Sequence, residues 1–198
     1  MQANFTLSQR SIFWGKSRLL ILNRLLRDGM PTPIDRSVAP VGPLLAEDIS
    51  PLQSTIDPRE RALILGKIEN LRVAARRLNG VTLKQGETFS FWRIVGRPTR
   101  AKGYVVGREL RQGCIIPTIA GGICQLSNAL SRTALRAGMD ITERHPHTAV
   151  VDGIDFDPET DATLFWNYLD FRFRTTMPVC LSVELTATDL VVTLRGFT

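Results

Sequence analysis

Ala120-Gly121-Gly122-Ile123-Cys124-Gln125 is the stretch around which the rest of this sequence can be organised. From its isoleucine onward apolar residues recur at helical spacing and a glycine then follows, which predicts an amphipathic helix with the cysteine in its first turn. The apolar positions are Ile123, Leu126, Leu130, Thr133 and Ala137, with Gly138 as the stop signal. The paired glycines permit a tight turn before the helix and a close approach by a substrate backbone.

The cysteine in this predicted helix has the surroundings of a nucleophile. A thiol in the first turn of a helix faces unpaired backbone N–H groups and the positive end of the helix dipole, and both favour the thiolate form. The chain has only two histidines, His145 and His147, and both follow in a predicted strand. This order predicts a cysteine enzyme. The alternative is that Cys124 is a small buried hydrophobic residue that only packs.

The composition describes a basic protein with enough apolar residues for a core. Of 198 residues 43% are hydrophobic, and the formal net charge is +6 at pH 7. A chain of this length forms one domain or two, and a basic surface suits an acidic polymer, an anionic membrane or a nucleic acid. The sequence has no zinc-finger, recognition-helix or RNP pattern, so nucleic acid is excluded from the predicted partners.

The three cysteines do not form a metal-site pattern. Their odd number leaves at least one thiol unpaired within the chain. If Cys124 is the nucleophile it must be free, which leaves Cys114 and Cys180 either paired or reduced. A zinc site from Cys114, Cys124 and a histidine would lack the short Cys-x-x-Cys spacing of structural sites, so we predict no metal and no cofactor.

The N-terminal region carries a basic, apolar segment at residues 11–26. Lys16, Arg18 and Arg24 interrupt it, it has no small-residue cleavage site, and it falls short of the roughly 18 apolar residues of a membrane span. We therefore recognise no signal peptide, which points to a cytoplasmic or membrane-peripheral protein. The segment is typical of a basic amphipathic helix on an anionic membrane, and the alternative is that it packs on the domain or on a partner.

Prolines separate this segment from the clearest helix of the chain. Residues 28–57 contain five of them, which prevents long helices there and predicts a connector. The next helix is predicted over residues 57–80, with Asp57 as the N-cap and Glu60 placed to complete a capping box.

The sequence therefore divides into two parts. Residues 1–56 form the N-terminal amphipathic helix and Pro-rich connector, and residues 57–198 form a domain on which helix 57–80 packs. Short apolar segments between Gly-containing turns predict its strands. These are Val81 to Leu83, Thr88 to Trp92, Tyr104 to Leu110, Cys114 to Ile116, Ile141 to Val151, Ala162 to Asn167, Phe171 to Arg174, Val179 to Thr186 and Leu190 to Arg195. The pattern predicts an α+β fold, a mostly antiparallel sheet with one central helix that carries the cysteine, preceded by a helical N-terminal region.

A series of short blocks in this domain has a recognisable order and spacing. They are Gly86-Glu87-Thr88-Phe89-Ser90-Phe91, Val95-Gly96, Gly103-Tyr104, Gly121-Gly122-Ile123-Cys124-Gln125-Leu126-Ser127, Ala137-Gly138-Met139-Asp140-Ile141, Glu143-Arg144-His145-Pro146-His147-Thr148, Asp161-Ala162-Thr163 and Asp170-Phe171-Arg172-Phe173. With these blocks the stretch from Thr88 to Arg174 resembles the VanW family, named for a protein of vancomycin-resistance operons. The segment from Asp57 to Gly80 also resembles what precedes this domain in the family.

The resemblance implies a reaction and assigns roles to residues. Some members are implicated as peptidoglycan L,D-transpeptidases whose nucleophile is the cysteine of the Gly-Ile-Cys-Gln motif, here Cys124. It would attack the acyl carbon of a peptidoglycan stem peptide or precursor, and an amine from a second stem would resolve the thioester. In the family the second histidine of the Arg-x-x-His block is the steadier one, which makes His147 the first choice of base and His145 the second. Asp161 of the Asp-Ala-Thr block would orient that histidine.

The same motifs supply candidate substrate contacts. Gly121, Gly122 and Gln125 lie beside the nucleophile, and the turn there would give N–H donors to an oxyanion. Arg144 would bind a substrate carboxylate or, alternatively, pair with an acidic neighbour. Two other functions stay open, a cysteine peptidase or amidase and a non-catalytic domain that binds peptides or a partner. A role in the cell wall would need export, which conflicts with the missing signal peptide.

The chain departs from the family pattern at three positions. Trp92 stands where asparagine is usual, Ala120 stands where a third glycine is common, and Thr148 stands where serine is commoner. None of the three removes the proposed nucleophile or base.

Overall fold

The computed structural model describes residues 7–28, 33–36, 42–53, 57–111, 114–147 and 157–197, and it confirms the predicted α+β fold. The helices are α1 (Leu7–Asp28), α2 (Arg61–Leu78), α3 (Phe91–Val95) and α4 (Cys124–Arg136), with 3₁₀ turns at Pro58–Glu60 and Arg100–Lys102. The strands are β1 (Leu44–Pro51), β2 (Val81–Leu83), β3 (Thr88–Ser90), β4 (Val106–Arg111), β5 (Cys114–Ile119), β6 (Asp140–Glu143), β7 (Arg172–Arg174), β8 (Val179–Leu185) and β9 (Asp189–Gly196).

The strands pair into antiparallel sheets. The largest has the order β1-β9-β8-β2, a second has the order β3-β7-β6, and β4 and β5 form a hairpin. Helices α2 and α4 cover the four-stranded sheet, α2 against β8 and α4 against β1 and β9. Along β9 every second residue is buried, as expected for a strand with one face on a core.

The core lies between these two helices and the sheets. Leu71 and Leu78 of α2 and Leu126 and Leu130 of α4 are almost fully buried, and burial of the α4 pair confirms that its predicted apolar stripe faces inward. Aromatic residues of β3 and β7 complete it, and the rings of Phe89 and Phe173 stack with their centroids 4.7 Å apart. The three-stranded sheet is thereby packed on the same core.

The start of α2 differs in detail from the prediction. The carboxylate of Asp57 does accept a hydrogen bond from the backbone N–H of Arg59, at 2.9 Å, and a 3₁₀ turn precedes the α-helix. The predicted capping box is wrong, because the Glu60 carboxylate binds the Arg108 guanidinium at 2.8 Å instead of returning to the cap. Glu60 thus joins the start of α2 to β4.

The connector predicted over residues 28–57 contains a strand. Residues 44–51 form β1, which pairs with β9 along its whole length and so belongs to the four-stranded sheet. Asp48 of β1 is almost buried and accepts two hydrogen bonds from the Arg132 guanidinium of α4, both 2.7 Å long. The connector therefore contributes part of the fold as well as linking two helices.

The predicted strand from Thr88 to Trp92 is too long. Helix α3 begins at Phe91 because the Ser90 hydroxyl accepts a hydrogen bond from the Arg93 N–H and caps the helix. The Trp92 indole N–H then donates to the Leu169 carbonyl at 2.7 Å.

Two other predicted strands also differ from the structure. Residues 162–167 are not a strand; residues 162–164 have no strand pairing and a turn follows, with a single bridge between Phe165 and Leu169. The strand predicted from Ile141 to Val151 is confirmed only within β6, since residues 144–147 have no strand pairing and residues 148–151 lie outside the described ranges. Both segments instead supply side chains and backbone groups to one cluster, described below.

Helix α1 packs on the domain through one face. The Phe13 ring contacts the rings of Phe165 and Tyr168, with centroids 5.8 Å and 5.6 Å away. The Arg24 guanidinium forms an ion pair with Glu143 and also donates to the Tyr168 carbonyl. Within the described ranges, no helix is both long enough and apolar enough to span a membrane.

A buried asparagine holds α2 against the hairpin that leads to the cysteine helix. The Asn70 side chain is inaccessible to solvent, and its amide donates to the carbonyls of Val105 and Gly121 while its oxygen accepts from the Val105 N–H. One turn earlier, a Cβ on Gly66 would lie 1.9 Å from the Val106 carbonyl oxygen, so the helix and the strand approach too closely for any side chain.

We expect Asn70→Ala to lower the free energy of unfolding by about 2–4 kcal/mol, because it leaves buried backbone groups without partners. Urea denaturation followed by circular dichroism measures this loss. Arg76→Ala, on the exposed side of the same helix, serves as the control and should change stability by no more than about 0.5 kcal/mol. A loss in Asn70→Ala as small as that of the control would contradict the assignment.

Candidate functional site

The cysteine lies at the first residue of α4, as the sequence predicts. The turn before it contains two left-handed residues, Ala120 with φ 63° and Gly122 with φ 91°. Gly121 is required by packing, because a Cβ there would lie 2.3 Å from the carbonyl oxygen of Gly107. The side chain of Cys124 is partly exposed, so its thiol can meet a substrate.

A buried lysine rests on this turn. The side chain of Lys67 from α2 covers Gly122, where a Cβ would lie 2.0 Å from the lysine Cγ. Lys67 is only 7% exposed, and no acidic side chain of the described ranges pairs with it. Burial, and secondarily the charge of Arg108, lowers the pKa of the ammonium to about 8. It is therefore still mostly a cation at neutral pH, next to the cysteine turn.

His147 and Asp161 form a hydrogen-bonded pair, and Cys124 lies beside the imidazole to complete a row of three residues. Asp161 Oδ2 lies 2.7 Å from His147 Nδ1, and the same oxygen accepts from the His147 backbone N–H at 2.6 Å. Cys124 lies close enough to the imidazole to affect its charge. Thr163 Oγ1 lies 3.1 Å from His147 Nε2 and borders the ring on that side. The arrangement has the order nucleophile, base and orienting acid found in cysteine and serine hydrolases.

Helix α4 itself fixes the acid of this row. Asn128, one turn after Cys124, donates to Asp161 Oδ1 at 2.8 Å and accepts from the Ala162 N–H at 2.8 Å. The Ser127 hydroxyl donates to the Ala162 carbonyl. The cysteine and the carboxylate are thus held by the same helix, which fixes their positions relative to each other.

The charges of the row stabilise each other. The hydrogen bond to Asp161 and, after it, the neighbouring Cys124 raise the pKa of His147 to about 10, against an opposing effect of burial. Burial pushes the pKa of Asp161 upward, but the hydrogen bonds from His147 and Asn128 outweigh it and hold that pKa below its ordinary value. At neutral pH the histidine is therefore an imidazolium beside the Asp161 carboxylate.

The second histidine lies in a different network. His145 Nε2 is 3.3 Å from the Glu143 carboxylate, which also binds Arg24 of α1. The backbone carbonyl of His145 accepts from the Thr163 N–H at 2.7 Å, so the residue helps to align the two segments of the site. Of the two candidate bases, the structure brings only His147 to the cysteine.

Two predicted substrate contacts have protein partners. Arg144 donates to the carbonyls of Pro158 and Asp161, at 2.8 and 2.9 Å, and so holds the segment that carries the acid. The Gln125 amide donates to Ser50 Oγ and to the Pro51 carbonyl, which fastens α4 to the end of β1. These contacts give both side chains a positioning role around the cysteine.

The other two cysteines lie apart from this row and from each other. Cys114 is exposed on β5 and Cys180 is buried on β8, and both are free thiols. Among the residues that the structure describes, no group of three or more His, Cys, Asp or Glu side chains is arranged to hold a metal ion.

Comparison with known proteins identifies the family. The model of the VanW-like protein family matches residues 66–195, well over half of the chain. The chain belongs to the VanW-like family. It is 33% identical over 127 residues to the uncharacterized protein YoaR of Bacillus subtilis, covering 63% of this chain and 41% of YoaR. It is 32% identical over 126 residues to the vancomycin B-type resistance protein VanW of Enterococcus faecalis, covering 62% of this chain and 46% of that protein.

The match covers less than half the length of either curated VanW-like relative. No solved structure matches the chain.

Several residues of this VanW-like site were missed by sequence reasoning. Asn128 had a usable signal, because it lies four positions after Cys124 and so shares its face of the helix. Thr163 belongs to the Asp-Ala-Thr block quoted above, but no role was assigned to it. Lys67 and Asn70 had no signal, because a polar residue on an amphipathic helix is ordinarily exposed.

We expect the His147 imidazole to titrate far above its ordinary value of 6.5, at about 10. NMR of the ring across pH 5 to 11 measures this, and Asp161→Asn should lower the pKa because the strongest hydrogen bond of the charged ring is weakened. The folded protein binds this proton more tightly than the unfolded chain does. Its contribution to stability is therefore complete below about pH 6.5 and disappears as the pH rises through about 10. A His147 that titrates near 6.5 would contradict the charged row.

We expect Cys124 to react rapidly with iodoacetamide at pH 7 because its partly exposed thiol lies beside the positively charged His147 imidazolium. The measurement is done in a Cys114→Ser background, since Cys114 is exposed. His147→Ala should slow the reaction by roughly tenfold or more, whereas His145→Ala should have a smaller effect because His145 pairs with Glu143. Arg76→Ala is the control. Equal slowing by the two histidine variants would show that His147 is not the specific partner.

Proposed function

We propose that this VanW-like protein carries out cysteine-dependent acyl transfer on peptidoglycan stem peptides, as an L,D-transpeptidase-like enzyme. The observation that supports it is the row at the start of α4, in which His147 is hydrogen-bonded to Asp161 and lies beside Cys124. The family link to vancomycin resistance favours a cell-wall substrate, since the protein so named among the relatives is a resistance protein.

The geometry supports a two-step reaction. The Cys124 thiolate would attack the carbonyl carbon of the donor peptide, and the His147 imidazolium would give its proton to the departing amine. An acyl-thioester then remains on Cys124. An acceptor amine would attack the thioester, losing a proton to His147 as the sulfur leaves as thiolate. Atoms and charges are restored, so the row can serve both steps.

The turn before α4 offers donors for the developing oxyanion. Within the described ranges, the backbone N–H groups of Gly122 and Cys124 have no hydrogen-bond acceptor. Both lie at the positive end of the helix dipole, which favours a negative charge in front of them. Two preorganised N–H groups are the usual form of an oxyanion hole.

Lys67 supports a donor that carries a carboxylate. A nearly buried ammonium with no acidic partner retains an unfavourable desolvation energy, which an anionic substrate group next to the turn would offset. Stem peptides end in a carboxylate. We therefore propose that Lys67 binds the carboxylate of the terminal residue that the donor releases.

A cysteine peptidase or amidase would use the same row with water in place of the amine. The partly exposed thiol is compatible with either acceptor. The distinction lies in the product, so the test uses a donor peptide with and without an acceptor amine.

We expect a synthetic stem tetrapeptide ending in D-alanine to form a thioester on Cys124, detectable by mass spectrometry after acid quenching. With an acceptor amine, the cross-linked peptide should appear in the product analysis. Cys124→Ala should abolish both species, and His147→Gln should slow their formation by roughly 10²-fold or more. Lys67→Met should raise KM more than it lowers kcat. Arg76→Ala is the matched control for removal of a cation.

The outcomes separate the alternatives. Hydrolysed peptide in the presence of excess amine would assign a peptidase or amidase instead. Peptide binding that survives in Cys124→Ala, with no thioester or product from the wild type, would indicate a non-catalytic binding domain and contradict the proposal.

A further inference from the structure

Helix α1 has a second face that the domain does not use. Its inner face carries Phe13, Ser17 and Arg24, of which Ser17 is fully buried and the other two contact the domain. Successive residues of an α-helix are 100° apart, so residues two positions away from these lie on the far side. The far side of α1 faces solvent.

An apolar stripe runs along this outer face. Its members are Ile12, Gly15, Leu19, Leu22 and Leu26, which follow one another at alternating intervals of three and four residues. Ile12 is 58% exposed, Leu19 67%, Leu22 52% and Leu26 77%. Isolated exposed leucines are common on protein surfaces, but a continuous row over four helical turns indicates a surface that binds something apolar.

Cations flank the stripe on both sides. Lys16 and Arg18 are exposed and lie about 200° apart around the helix axis, with the stripe between them. Between residues 7 and 27 the chain has no acidic residue. Trp14, 54% exposed, lies beyond Arg18 at the edge of the same surface. The surface thus combines an apolar centre, basic flanks and an indole at the margin.

These charges argue against a second copy of the chain as the occupant. The interval of the stripe is that of a coiled-coil seam, in which the flanking residues of the two helices meet. Here those flanks would bring Lys16 and Arg18 of one copy towards cations of the other, with no carboxylate between residues 7 and 27 to pair with them. Like charges at these positions oppose pairing.

We propose that the outer face of α1 binds the surface of a lipid bilayer that contains anionic phospholipids. The leucine stripe enters the boundary between headgroups and acyl chains, and Lys16 and Arg18 reach the phosphates from both sides. The inner face of α1 contacts Glu143 and Tyr168, so a bilayer bound to the outer face would hold the whole domain. Glu143 lies at the start of the segment that carries His147. The thiol chemistry has no part in this binding.

The test is vesicle co-sedimentation of the full chain with phosphatidylcholine alone and with phosphatidylcholine containing 30% phosphatidylglycerol. We expect binding to the anionic vesicles and weaker binding at high salt. Leu19→Gln with Leu22→Gln should weaken it by roughly tenfold or more, and Lys16→Glu with Arg18→Glu by a similar factor. The control for the leucine pair is Leu65→Gln, since Leu65 is a similarly exposed leucine on α2. The control for the cation pair is Arg76→Glu with Arg100→Glu. Both controls should bind as the wild type does.

Three results would overturn the proposal. One is no sedimentation with either vesicle. Another is binding that the α1 variants and the control variants reduce equally, which would assign it to general basic charge. The third is self-association in analytical ultracentrifugation that the leucine variants abolish, without vesicle binding, which would make a second copy the occupant. Cys124→Ala should bind vesicles normally, so loss of catalysis and loss of membrane binding remain distinguishable.

Discussion

The close approach of Gly107 and Gly121 is the contact on which the candidate site depends. Any Cβ at either position would overlap the backbone of the other, so the two chains touch directly. Asn70 spans this contact from α2 and hydrogen-bonds to the Gly121 carbonyl. The turn before Cys124 is therefore positioned by backbone packing and a buried amide, and loop side chains contribute little. A site held in this way loses little entropy when it meets a substrate.

A row of polar residues along α4 connects the cysteine helix to three other parts of the chain. Cys124, Asn128 and Arg132 recur every four residues, opposite the apolar face, and each has a partner on a different segment: His147, Asp161 and Asp48 respectively. The apolar side of α4 thus packs in the core, and its polar side joins the site to the sheet. Mutations on the polar side would be expected to affect stability and chemistry together.

Sequence patterns predicted the elements whose signals are local. Helices α2 and α4 followed from local sequence patterns, and the position of Cys124 followed from the glycine turn before it. The segment from Ala162 to Asn167 misled the prediction because its apolar residues mimic a strand, while the backbone there bonds to Asn128 and His145. Lys67 and Asn70 could not be predicted as buried, because their burial is produced by a strand distant in sequence. The pairing of His147 with Asp161 came from the resemblance to the family and not from spacing.

Strand β1 changes what a minimal unit of this fold must contain. The family match begins at residue 66, yet β1 lies before it and covers one side of β9. A fragment cut at the start of the match would leave β9 as an open edge with unpaired backbone groups, and Arg132 would lose Asp48. Open edges of this kind promote aggregation. The recognisable family segment is therefore shorter than the segment that can remain soluble, and expressed fragments or domain fusions need to begin upstream of Leu44.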